Sequence, residues 1–252
     1  MKVLLSGFCG KMGQVVYNQS KNFDDIEITE GYDRKEVIKN FACNYDGVNL
    51  ISDLSMSKNC DIVIDFSHFS NVRTILDFCV KNKKPLVLAT TGLDAELENE
   101  VLNASKIIPI FQSSNMSEGV YVLLNLINKA TKMLYGWDIE IIEKHHRDKV
   151  DAPSGTGLMM LSEVKAERKD TVALVGRNKE SGKRKPNEVG MHSIRGGGIV
   201  GEHEIEFISD NESIKITHEA FSKGIFADGA LKATLFLYGK KPGYYTMKNL
   251  FD

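Results

Sequence analysis

Lys2-Val-Leu-Leu-Ser6, then Gly7-Phe-Cys-Gly10-Lys-Met-Gly13, then a run carrying Val15, Val16 and Tyr17, is the stretch on which the fold turns. The apolar residues read as a short buried strand, the glycines as a tight turn and the residues after them as a helix. A glycine-rich turn that feeds a helix N-terminus lets the backbone approach a pyrophosphate and aims N–H groups at it. The usual Gly-x-Gly-x-x-Gly has become Gly7-x-x-Gly10-x-x-Gly13, with Cys9 where a middle glycine would stand. A glycine pattern alone says little, and its place directly after a strand is what turns it into a dinucleotide-binding signal.

Outward from there, a second strand over residues 26–32 ends in Asp33-Arg34, about 20 residues beyond the last glycine, where folds of this kind read the ribose. An acid there accepts from a 2′-hydroxyl, an Arg neutralises a 2′-phosphate, and Lys11 adds charge beside one. Both residue types are present, so NADH and NADPH stay open as cofactors and use of both is the working expectation. The plain alternative is a polar strand end that binds nothing. Residues 35–60 carry little pattern, after which residues 61–66, 85–89 and 107–111 read as strands. Helices lie between them, one with Val72, Ile75, Leu76 and Cys79 on its core face and one over residues 96–105. This alternation predicts a Rossmann-like parallel sheet with helices on both faces and ligands beyond the C-terminal strand ends.

The second half has another rhythm. Glu118-Gly-Val-Tyr-Val-Leu-Leu-Asn-Leu-Ile127 opens a long helix, expected to cross from one domain to the next. Residues 191–195, 199–208 and 213–220 alternate as strands, joined by Gly196-Gly-Gly198 and Asp210-Asn211, and antiparallel pairing is expected. With Trp137-Asp-Ile-Glu-Ile-Ile-Glu143 they make a mixed, mostly antiparallel sheet of about four strands, one face of it covered by the helices from residues 118 and 157. That is a smaller α+β domain. Residues 168–189 are charged, hold Gly182 and Pro186, and read as a mobile surface loop. His192, His203 and His218 fall in strands, where the default reading is structural.

Chemistry concentrates in Glu143-Lys-His-His-Arg-Asp-Lys-Val-Asp-Ala-Pro-Ser-Gly-Thr-Gly157, a strand end, a polar loop and a helix start. The backbone donors at Gly155 and Thr156 suit a carboxylate, Lys149 adds a full charge, and His145 and His146 exchange protons near neutrality. Ser154 reads as a helix cap. A solvent-exposed histidine pair is the bland reading. Adjacent histidines on a strand point to opposite faces and no cysteine or HExxH spacing completes a ligand set, so no metal is expected.

The run Lys144-His-His-Arg-Asp-Lys-Val-Asp-Ala-Pro-Ser-Gly-Thr156 closely resembles the signature of the dihydrodipicolinate (4-hydroxy-tetrahydrodipicolinate) reductase family of the diaminopimelate route to lysine, and the likeness extends over nearly the whole chain. It implies cofactor contacts from Gly7, Phe8, Cys9, Gly10, Lys11 and Met12, from Asp33 and Arg34, from Ala89, Thr90 and Thr91, and from Ser113, Ser114, Asn115 and Met116. The Asp65-Phe66-Ser67 strand end resembles the family too, whereas Met116 stands where an aromatic is common. It further implies His145 as proton donor, Lys149 holding a carboxylate and sharing in protonation, and His146, Gly155 and Thr156 binding a small dicarboxylate. The activity implied is NAD(P)H-dependent reduction of 4-hydroxy-tetrahydrodipicolinate, or the dihydrodipicolinate formed from it, to tetrahydrodipicolinate. Residues 1–116 and 225–252 would form the dinucleotide-binding domain and residues 117–224 the substrate-binding and oligomerisation domain, closing on joints near Ser117 and Lys223 in a homotetramer.

Composition bounds the alternatives. A chain of 252 residues, 42% hydrophobic, suits one large domain or two modest ones. A net charge of −2, from 32 basic and 34 acidic residues, gives no general drive toward nucleic acid or an anionic membrane. The basic segment over residues 177–185 lacks the aromatics a nucleic-acid patch wants. No apolar run approaches the roughly 20 residues of a membrane span, and the chain enters a strand with no signal-peptide pattern, so a cytoplasmic protein is expected. Cys9, Cys43, Cys60 and Cys79 lack CxxC spacing and read as reduced thiols. Another Rossmann-type dehydrogenase would share the first half without the His-His-x-x-Lys run, and a cofactor-sensing protein would bind NAD(P)H without turnover.

Overall fold

The computed structural model describes residues 1–41, 45 and 47–251; Cys43, expected as a reduced thiol, lies outside the described residues. The chain divides into two compact units, Met1–Ser117 with the segment from Lys223 onward, and Glu118–Ser222.

In the first unit β1 (Lys2–Ser6) leads through the glycine turn into α1 (Lys11–Ser20). There follow β2 (Glu27–Tyr32), α2 (Lys35–Lys39), β3 (Asn49–Ile51), β4 (Ile62–Asp65) and α3 (Val72–Asn82). β5 (Leu86–Leu88), α4 (Ala95–Ala104) and β6 (Pro109–Gln112) complete the alternation. Among the described residues the sheet has seven strands, all parallel, and β1 lies between β2 and β4, so the strand order reverses beside the glycine turn. α3 buries Val72, Ile75, Leu76 and Cys79, one helical face, against Leu4, Val63, Leu86 and Leu88. Each aliphatic side chain so buried contributes about 1.5–3 kcal/mol.

The second unit opens with α5 (Glu118–Met133), then β7 (Asp138–His145), α6 (Gly155–Glu167), β8 (Val172–Val175), β9 (Glu188–Arg195), β10 (Gly201–Ile208) and β11 (Ser213–Ala220). The chain then returns to the first unit with α7 (Gly224–Leu237), β12 (Gly243–Tyr245) and α8 (Met247–Phe251), and α7 packs on α1.

The second sheet is mixed, in the order β11-β10-β7-β9-β8. β10 pairs antiparallel with β11 and β7, while β7–β9 and β8–β9 are parallel. Two expectations need correcting. β9 is not the antiparallel neighbour of β10, because β7 inserts between them and β9 returns by a helical crossover, which produces parallel strands. Nor are residues 168–189 only a loop: β8 extends the sheet edge, and Arg184 is tied to the carbonyls of Ile139 at 3.0 Å and Glu188 at 2.7 Å and to Asp138 at 2.9 Å. Similarly, the unpatterned residues 35–60 contain α2 and β3 at the edge of the first sheet.

Register organises the helix-covered face of this sheet into cross-strand rows. Val189, Ile139, Phe207 and Ile214 form one row, and Met191, Ile141, Ile205 and Ile216 the next. All of these but Ile214, which is exposed, pack on Val120, Leu123, Leu124 and Ile127 of α5 and Met160, Leu161 and Val164 of α6. The following row is Ser193, Glu143, His203 and His218, and beyond it Arg195 pairs with His145 and Gly201 with Ala220. One sheet face is thus apolar at one end and ionisable at the other. The opposite face carries charged cross-strand pairs, among them Lys144–Glu202 at 2.6 Å and His192–Glu140 at 2.8 Å.

Candidate active site

His145 is the last residue of β7, with 9% of its surface exposed, and Glu143 two residues earlier on the same face is 1% exposed. Glu143 Oε2 accepts from His145 Nδ1 at 2.5 Å and from Arg195 Nη1 at 2.9 Å. Its Oε1 accepts from Arg195 Nη2 at 2.8 Å and from the Ser154 N–H at 3.3 Å. Burial pushes the Glu143 carboxyl upward, but the hydrogen bonds it accepts, from the Arg195 guanidinium foremost and from His145 among the others, together with the Arg195 charge outweigh that and hold it at about 2. Burial also lowers the His145 imidazole below the usual histidine value, against the opposing effect of Glu143.

The loop after β7 is pinned to this pair. Arg195 donates from Nε to the Lys149 carbonyl at 3.3 Å and from Nη2 to the Asp151 carbonyl at 2.6 Å. Gly196 N donates to the His145 carbonyl at 3.0 Å and Arg147 N to that of Gly197 at 3.3 Å. The Lys149 ammonium bonds Asp151 Oδ1 at 2.9 Å, which holds that exposed carboxyl below its usual value, and its charge also acts on His145 and His203.

Ser154 caps α6, as its type and place predict: its Oγ accepts from Gly157 N at 3.1 Å. The same Oγ lies 3.2 Å from His203 Nε2, which ties that ring to the start of α6. Burial, with the nearby His145, holds His203 down at about 4, so it is neutral near pH 7. At the helix start Gly155 is exposed, with no heavy atom within 4 Å of where a Cβ would stand. His146 and Thr156 are half-buried, and the His146 carbonyl accepts from Lys149 N at 3.2 Å. His145, Lys149 and the α6 N-terminus are therefore gathered around one carboxylate. Sequence reasoning passed over Glu143 and Arg195; the available signal was parity, since Glu143 shares the inward phase of Ile139 and Ile141. Among the described residues no group of three or more His, Cys, Asp or Glu is placed to hold a metal ion.

In the first unit the glycine turn closes as expected. Gly7 has φ +77°, and a Cβ there would meet the Phe66 carbonyl oxygen at 2.7 Å. A Cβ on Gly13 would come within 2.2 Å of the Gly7 oxygen, so α1 sits against the turn only through glycine. Gly7 N donates to the Tyr32 carbonyl at 2.9 Å, and Cys9 N to Asp33 Oδ2 at 3.1 Å, which fastens the turn to the end of β2. Gly10, Lys11, Arg34, Thr91 and Ser114 are exposed, and Met12, Ser113 and Asn115 half-buried. An exposed helix start without a side-chain cap, flanked by a cation, fits a dinucleotide phosphate.

Other members of the expected set face inward. The Phe8 ring is fully buried, edge-on to Tyr17 and Tyr45 at 5.5 and 5.3 Å, so only its backbone is left for a ligand. Burial raises the Cys9 thiol to about 11. Ala89 and Met116 are buried, and Thr90 Oγ1 donates to Asp65 Oδ2 at 2.7 Å. Asp65 is wholly buried and its carboxyl is raised by that burial, so it supports the strand ends from beneath.

Residues 1–116 match the family described as "Dihydrodipicolinate reductase, N-terminus" and residues 119–251 "Dihydrodipicolinate reductase, C-terminus". The chain is 44% identical to the 4-hydroxy-tetrahydrodipicolinate reductase of Caldanaerobacter subterraneus subsp. tengcongensis, over 99% of this chain and 98% of that protein. It is 43% identical to the Clostridium tetani enzyme of the same name, over 98% and 95%. The fold superimposes on a dipicolinate-bound dihydrodipicolinate reductase from a Paenisporosarcina species with a TM-score of 0.83 at 22% identity, covering 99% and 98% of the two chains. A probable dehydrogenase from Thermotoga maritima follows at 0.61 and 11%, covering 99% and 92%; at such identities both likenesses speak to the fold alone. With both halves matched and relatives this similar over full length, the chain belongs to the dihydrodipicolinate reductase family.

Proposed function

We propose that the protein reduces 4-hydroxy-tetrahydrodipicolinate, or the dihydrodipicolinate derived from it, to tetrahydrodipicolinate with NADH or NADPH. The observation that carries this reading is the gathering of His145, Lys149 and the open α6 N-terminus around buried Glu143, in a chain that belongs to this family. The nicotinamide, when bound, supplies a hydride. The chain's own residues supply the rest: His145 gives the proton from its ring, Lys149 holds a carboxylate and shares in protonation, and His146, Gly155 and Thr156 bind the dicarboxylate at the helix start.

Backbone of the segment from Gly7 to Met12 would hold the cofactor phosphates, Asp33 and Arg34 the adenosine ribose, and the strand ends Ala89–Thr91 and Ser113–Met116 the rest of the dinucleotide. Asp33 is already fixed by the Cys9 N–H at 3.1 Å and by Arg34 N at 2.9 Å, while the Arg34 and Lys11 side chains are exposed, an arrangement that supports use of both cofactors. We also read the protein as a cytoplasmic homotetramer joined through the uncovered face of the second sheet, supported by half-buried Ile142 and exposed Ile194 on that face and by free Cys9, Cys60 and Cys79. No helix among the described residues is long and apolar enough to cross a membrane.

The test follows NADH and NADPH absorbance while the preceding synthase makes the substrate in situ from pyruvate and aspartate semialdehyde. Synthase-dependent oxidation is expected with both cofactors. Absence of oxidation in a protein that still binds NADPH would remove the assignment, a strong preference for one cofactor would remove dual use, and light scattering reads the tetramer directly.

A further inference from the structure

We infer that Glu143, clamped by Arg195, is a positioning residue that fixes the His145 ring with its proton on Nδ1, leaving Nε2 as the atom that trades a proton with substrate. The inference rests on the reading of His145 as proton donor. An ionised carboxylate only accepts hydrogen bonds, so the 2.5 Å contact of Glu143 Oε2 requires a hydrogen on Nδ1 whether the ring is neutral or charged. The carboxylate stays ionised because both its oxygens face the Arg195 fork, at 2.9 and 2.8 Å, in a site where Glu143 is 1% exposed. The proton that comes and goes then has one place to be, Nε2.

Arg195 does a second thing with the same guanidinium. Its bonds to the Lys149 and Asp151 carbonyls, at 3.3 and 2.6 Å, set the loop that carries Lys149 against the carboxylate that carries His145. The proton donor and the carboxylate-binding ammonium are thereby referred to a single rigid group. If Glu143 were only an ion-pair partner closing this loop, the tautomer of His145 would be indifferent to it.

Histidine labelled with 15N in the full-length protein, observed by NMR without substrate, distinguishes these cases. The wild type is expected to show His145 protonated on Nδ1, and protonation on Nε2 alone would overturn the inference before any variant is made. In Glu143→Gln the amide keeps one acceptor. Placing its NH2 at the Oε1 site would oppose two donors, Arg195 Nη2 and Ser154 N–H, whereas at the Oε2 site it opposes only Arg195 Nη1 and can donate to His145 Nδ1. The variant is therefore expected to shift the ring proton to Nε2 and lower kcat about 10²-fold, with KM for NADPH nearly unchanged. A tautomer unmoved by the substitution overturns the inference whatever kcat does. A shifted tautomer with wild-type kcat upholds Glu143's hold on the ring and removes His145 from proton donation, so the two readings fail separately.

Discussion

Gly201 lies against the Nε2 edge of His145: a Cβ built on Gly201 would stand 3.2 Å from that nitrogen. The absence of a side chain there keeps the working edge of the ring clear. Gly201→Val is expected to raise KM for the dicarboxylate and lower kcat, together by about 10²-fold in kcat/KM, while NADPH fluorescence titration reports unchanged cofactor affinity. Wild-type kcat/KM in the variant would mean that protons reach substrate from elsewhere.

Replacing the ring itself is the sharper version. His145→Gln keeps a polar side chain but cannot donate from an acid near neutrality, so kcat should fall by about 10²–10⁴-fold. Cofactor dissociation constants should hold. An unchanged kcat would end the assignment of His145.

Arg195→Met leaves a carboxylate that is 1% exposed without the fork that keeps it charged. Breaking a buried pair from one side costs about 3–5 kcal/mol. Chemical denaturation at neutral pH should register that loss, with a smaller one for Arg195→Lys, which retains charge but cannot bond both oxygens in parallel. Equal stability of wild type and the Met variant would show that the Arg195–Glu143 pair holds nothing together.

His203 supplies a pH dependence with a definite sign. Its folded-state value, about 4, lies below the ordinary 6.5, so the unfolded chain binds the extra proton first as pH falls. The stability that comes from keeping it neutral is fully present above pH 6.5 and is lost between 6.5 and 4. Denaturation midpoints across that window should drop for the wild type and drop less for His203→Gln. Parallel curves for the two proteins would count against a neutral buried His203.

At the other site, Gly13→Ala would put a Cβ 2.2 Å from the Gly7 carbonyl oxygen, and backbone has to move. NADH and NADPH binding should weaken together by at least about tenfold, since the turn that faces the phosphate is displaced. Intact binding of either cofactor would show that the turn is not the phosphate site.

How much of this was legible in sequence depends on the range of the interactions. The β1–turn–α1 unit could be read because its glycines, strand and helix lie within twenty residues, and Ser154 as a cap because capping is local. β8 was missed because a four-residue edge strand with half-exposed side chains has no period to detect. The expected pairing of β9 with β10 had the right relative direction and the wrong neighbour: nothing in either segment announces that β7 will lie between them. Glu143 and Arg195 sit 52 residues apart, and their meeting is a product of the parallel β7–β9 ladder. Phe8 is credited with ligand contact by its place in a motif, and because its ring belongs to the core only its backbone is left for that role.

The row arrangement of the second sheet bears on how such a gene can change length. His145, Glu143, Arg195, Ser193, Gly201 and His203 come from three strands and meet only while those strands keep their present offsets. Deleting one codon inside β10 would carry a glutamate, Glu202 or Glu204, onto the face where His203 now stands, and turn His203 outward, because successive residues of a strand face opposite ways. Single-residue insertions and deletions should therefore be purged from β7, β9 and β10 far more strictly than substitutions of similar size.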